Sequence, residues 1–177
     1  MGLNDTIRAG NVATLERGRQ EGRNAIASAE QEYLNRREEL VKLLGRYHDA
    51  IKAMDNAIKE WKARLLQTQN DLKAAQQNYN AAVARLSSCK RGSAEERTVA
   101  SEVAKYAADV NMYQAQCKRI FAKLQEYTDK REELKKGYDS VAEQIRRLDE
   151  EGQNIRGARD RFQEDRIQAI IDHQKTY

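Results

Sequence analysis

Proline is absent from all 177 residues, where an average share of about 5% would supply roughly nine. Proline punctuates loops and costs about 3 kcal/mol inside a helix. A chain without it therefore has little turn or loop, which argues against an all-β sandwich or a doubly wound α/β domain. Aromatic residues are also scarce at 6%, while charged residues reach 34%. That balance suits elongated helices joined by a thin apolar seam better than one thick core.

Other shortages narrow the function. Two cysteines, Cys89 and Cys117, and two histidines, His48 and His173, are too few for a disulfide framework or a cysteine-based zinc site. The histidines lack the paired spacing of a helix metal site, and no phosphate-binding glycine loop is present, so no cofactor, metal or small-molecule substrate is expected. No run approaches the roughly 20 apolar residues of a membrane-spanning helix. Met1–Thr6 lacks the basic region and apolar core of a secretory signal. A cytoplasmic location, or one within a virion or other assembly, is the expectation. Gly2 and Thr6 match the loose pattern for N-myristoylation, to which so short a motif lends little weight.

Charge is dispersed. Residues 46–139 hold 18 basic against 13 acidic residues, whereas 1–45 balance at seven each and 140–177 hold seven against eight. The longest basic runs, such as Lys90-Arg91, are two residues, unlike the tracts of nucleic-acid-binding arms. Acid-before-base pairs at i,i+4, including Glu38–Lys42, Asp55–Lys59, Glu60–Arg64, Glu126–Lys130 and Glu143–Arg147, point to solvated helical faces.

The strongest positive signal is a heptad. Leu40, Leu44, Tyr47, Ile51, Met54, Ile58, Trp61, Leu65, Thr68, Leu72, Ala75, Tyr79, Ala82 and Leu86 alternate steps of four and three. The pattern resumes at Val99 and continues through Val103, Tyr106, Val110, Tyr113, Cys117, Ile120, Leu124, Tyr127, Arg131, Leu134, Tyr138, Val141, Ile145 and Leu148. Only Thr68 and Arg131 interrupt its apolar character. Between the two seams, Lys90 and Arg91 place positive charge at a helix C-terminus, Gly92 can close it, and Ser93 with Glu96 forms a capping box for the next helix.

These signals predict an all-α chain: a long antiparallel two-helix coiled-coil hairpin with a tight turn near Gly92. It would be a single elongated domain over 1–177, open to packing into a larger helical bundle. Helix 1 is expected over about 5–90, the turn over 90–93 and helix 2 over about 94–173. Facing layers then pair Leu65 with Ile120, Trp61 with Leu124, Ile51 with Leu134, Leu44 with Val141, and Tyr33 with Gly152. The ends, 1–25 and 152–177, read as a looser base. There the seam turns polar at Arg37, Glu30, Arg19 and Arg159, and Val12 and Leu15 face Ile167, Ile170 and Ile171.

Apolar residues off the seam define a candidate partner surface: Leu34, Val41, Leu43, Leu66, Val83, Met112 and Phe121, joined at the base by Ile167, Ile170 and Ile171. Cys89, beside Lys90, is a weak candidate for an activated thiol. Carboxylate clusters such as Glu132-Glu133 point in different directions around a helix and read as solubilising faces. The functional expectation is a non-enzymatic spacer, stalk or scaffold that joins a larger assembly, or itself, through helix–helix contacts. In size, outline and basic charge the hairpin resembles the stalk proteins of type III secretion and flagellar export, which insert in an ATPase ring. The resemblance covers no specific motif, and it implies a protein partner. A phage or virion structural or internal protein fits the same features. A basic rod binding nucleic acid or an anionic membrane surface is the less favoured alternative.

Overall fold

The computed structural model describes residues 2–162 and 164–176. It consists of α1 (Leu3–Ser87), α2 (Ala94–Arg161) and α3 (Glu164–Thr176), with no strand among the described residues. The 85 residues of α1 and 68 of α2 form unbroken helices. Nothing in either span removes a backbone donor, and i,i+4 ion pairs such as Lys42–Glu38 and Arg64–Glu60 line their exposed faces.

Two boundaries differ from the sequence expectation. The first helix ends at Ser87 instead of about 90. The second does not run on to 173, because α2 closes at Arg161 and α3 restarts at Glu164. At this break the Phe162 amide is shared between the carbonyls of Ala158 (2.9 Å) and Arg159 (3.2 Å), the bifurcated pattern of a terminating turn. The Phe162 ring fills the space that a Cβ at Gly22 would need.

The chain divides into two units, Tyr47–Gly137 and the pair of segments Met1–Arg46 and Tyr138–Tyr177. In the Tyr47–Gly137 unit, the buried side chains are Thr68, Ala75, Ala82, Val99, Cys117 and Ile120, all of them seam positions. Thr68 is tolerated there because its hydroxyl donates to the Arg64 carbonyl at 2.9 Å. Arg131, the charged seam residue, pairs with Asp55, which thereby binds across to α2 instead of to Lys59 along its own helix. Further contacts join Arg85 to Glu102 at 2.9 Å, the Trp61 ring edge-on to Tyr127 at 6.3 Å between centroids, and Tyr47 to Gly137. As residue numbers rise along α1, those of the partners on α2 fall.

The other unit follows the same order with more polar chemistry. Val141, Leu148, Gly152 and Ile171 are buried. The Tyr33 hydroxyl and the Arg37 Nε both donate to Asp149 Oδ1, at 2.8 and 2.9 Å. Arg159 bonds Glu30 at 3.0 Å, Arg19 bonds Gln168, and Lys175 reaches Glu16 at 3.4 Å. The polar residues that interrupt the seam near the ends thus find partners within the chain, while Val12 and Leu15 are half-buried.

Candidate functional site

The turn carries the capping chemistry anticipated from Ser93 and Glu96, with one change. Gly92 adopts φ +78°, the left-handed region that favours glycine. Ser93 Oγ accepts the Glu96 amide at 3.1 Å. The reciprocal bond passes by Ser93, whose amide already donates to the Lys90 carbonyl at 3.2 Å. Glu96 Oε2 instead accepts the Gly92 amide at 3.1 Å. The side chains of Lys90 and Arg91 are exposed at this turn. Cys89 does not become the activated thiol that its basic neighbours suggested. Loss of hydration, followed by the negative charge of Glu95, pushes its pKa up despite Arg85.

All the seam residues singled out from the sequence are buried or half-buried: Leu44, Tyr47, Ile51, Ile58, Trp61, Leu65 and Leu72 on α1, and Ile120, Leu124, Leu134, Val141 and Ile145 on α2. The candidate partner surface divides. Leu34, Val41, Leu43, Leu66, Val83, Met112, Phe121 and Ile170 are exposed, with Leu66 at 61% and Phe121 at 54%. Ile171 does not belong to it: it is 0% exposed, covered within its own chain. Ile167 is half-buried. The burial of Ile171 agrees with the inward pairing read for the base and removes it from the outward set.

A groove of about 400 Å³ lies between α1 and α2 in the Tyr47–Gly137 unit. Its floor is Trp61, Thr68 and Ile120, and its rim is Arg64, Gln67, Gln116 and Arg119. The Arg64 guanidinium stacks over Trp61, 4.6 Å from the ring centroid, and donates to Glu60 at 3.1 Å. Arg119 forms no ion pair or hydrogen bond among the described residues. Sequence reading assigned Trp61 and Ile120 to the seam and missed the rim. Arg64 and Gln116 sit one position before the seam residues Leu65 and Cys117, a spacing that could have flagged them as flanking the same edge.

Other chemistry is sparse. Among the described residues no group of three or more His, Cys, Asp or Glu side chains is placed to hold a metal ion, and no helix is long and apolar enough to cross a membrane. The chain matches no protein-family profile, and no curated protein or solved structure is significantly similar to it.

Proposed function

We propose that the chain is a non-enzymatic structural protein, an antiparallel coiled-coil hairpin serving as a spacer, stalk or scaffold within a larger assembly that it joins through helix–helix contacts. The observation that carries this reading is the division of apolar residues into two sets. One lines an inward heptad seam on both long helices. The other, typified by Leu66 and Phe121, lies on outward positions of the same helices. The descending order of partners along α2, Gly137, Arg131, Tyr127 and Glu102 for Tyr47, Asp55, Trp61 and Arg85 in turn, supports the antiparallel arrangement. Exposed apolar positions on helices that have already satisfied their own seam suit further helix packing.

The hairpin is tested with spin labels at positions 65 and 120 in a chain whose Cys89 and Cys117 are replaced by serine and alanine. Helices packed 8–10 Å apart should give label separations of about 10–20 Å, and a distribution far beyond that range rejects the arrangement. The assembly role is tested in the native source with photo-cross-linking residues at positions 66 and 121. Cross-links to protein are expected, and labelling of lipid or nucleic acid alone would overturn it.

A further inference from the structure

We infer that the groove floored by Trp61, Thr68 and Ile120 docks an acidic amphipathic helix of a protein partner. This rests on the helix–helix reading above and specifies the chemistry of one contact. The form of the groove comes first. Its lining residues recur at successive turns of two helices, 61, 64 and 68 on α1 and 116, 119 and 120 on α2. They make an open strip that matches side chains projecting at i, i+3 and i+4 from a third helix.

Charge then selects the partner. The rim carries two guanidinium groups and no carboxylate. Arg64 is held in place by Trp61 and Glu60, and Arg119 has no internal partner among the described residues. The surrounding segment 47–137 has 17 basic against 12 acidic residues. A guanidinium binds a carboxylate in a planar, two-pronged geometry. A helix carrying an aliphatic residue and a glutamate one turn away would seat the first over Ile120 and pair the second with Arg119. A second copy presenting the same groove is disfavoured, since it would set one Arg119 guanidinium, unpaired among the described residues, against another, Arg64 being already paired with Glu60.

Trp61 is the sole tryptophan, so its emission reports on the groove directly. The probes are two synthetic amphipathic helices of about three heptads with the same leucine stripe, one with a glutamate polar face and one with lysine. The full chain should show a saturable change in Trp61 emission with the glutamate peptide and none with the lysine peptide. Arg119→Gln should weaken the glutamate peptide about tenfold, and Arg119→Glu should abolish its binding and admit the lysine peptide. Arg119 makes no internal bond among the described residues, so both variants should keep the wild-type circular dichroism. A response to phosphatidylserine vesicles or single-stranded DNA without one to the glutamate peptide overturns the inference. So does a response unchanged by Arg119→Glu. If the peptide fails while labels at 65 and 120 remain at neighbouring-helix distance, the groove assignment falls and the hairpin stands. A failure of both removes the helix–helix reading as well.

Discussion

The Tyr33 ring lies directly against Gly152: a Cβ built on the glycine would stand 2.7 Å from the ring's Cε2 and Cζ. The same residue's hydroxyl donates to Asp149 at 2.8 Å, so the ring is fixed at both its face and its tip. Gly152→Ala should therefore destabilise the chain by about 1–3 kcal/mol through overpacking. Gly137→Ala, which meets Tyr47 at 2.5 Å, should behave similarly. Gly45→Ala meets nothing within 4 Å and should stabilise by roughly 0.5–1 kcal/mol, because alanine is the better helix former. Urea unfolding of the three variants checks the opposite signs.

At the turn, Gly92→Ala forces a side chain into the left-handed region and should cost about 1–2 kcal/mol. Ser93→Ala removes the acceptor of the Glu96 amide and should cost about 0.5–2 kcal/mol. Thermal unfolding measures both. Equal stability of Gly92→Ala and wild type would contradict the +78° backbone.

Acid should weaken the protein over a defined window. Arg146 bonds both oxygens of Glu143, at 2.6 and 2.9 Å, and this contact, aided by Arg147, lowers the Glu143 pKa from 4.5 to about 2. Asp149 is also lowered, first by Arg37 and then by Tyr33. A carboxylate with a lowered folded-state pKa contributes stability above its unfolded value and loses it as pH falls through the folded one. Tm should thus decline between pH 4.5 and about 2, and Glu143→Gln should flatten that decline. Calorimetry across the range is the check.

Arg131→Leu completes the apolar seam and gives up an exposed pair with Asp55. Exposed ion pairs contribute little, so the urea midpoint should rise with the slope unchanged. A fall would mean that the Asp55 contact carries more than its exposure suggests.

Much of this structure was legible as spacing. A four-three alternation that continues across Thr68 and Arg131 places even those polar residues inward, and Gly92-Ser93 marks the turn. What spacing could not disclose is where side chains replace the usual local signals. The break at Phe162 has no proline, and its nearest glycine, Gly157, lies within α2. Gly137 gave no hint that Tyr47 would occupy its missing side chain. The Glu96 carboxylate reached Gly92 because Lys90 had already engaged the Ser93 amide, a competition invisible to a pattern. The groove rim was hidden for a related reason: Arg64 and Arg119 read as ordinary solvated charges until both edges of the seam were seen together.

The contacts between helices also form a graded series in chain separation. Arg85 and Glu102 are 17 residues apart, Asp55 and Arg131 are 76, Arg37 and Asp149 are 112, and Glu16 and Lys175 are 159. Closing the longest of these from a disordered chain costs about 2 kcal/mol more in entropy than closing the shortest. Loop entropy alone therefore favours the contacts nearest Gly92. Within the Tyr47–Gly137 unit, a formed Arg85–Glu102 contact shortens the loop that Asp55–Arg131 must close, so the nearer contact lowers the entropic cost of the farther one.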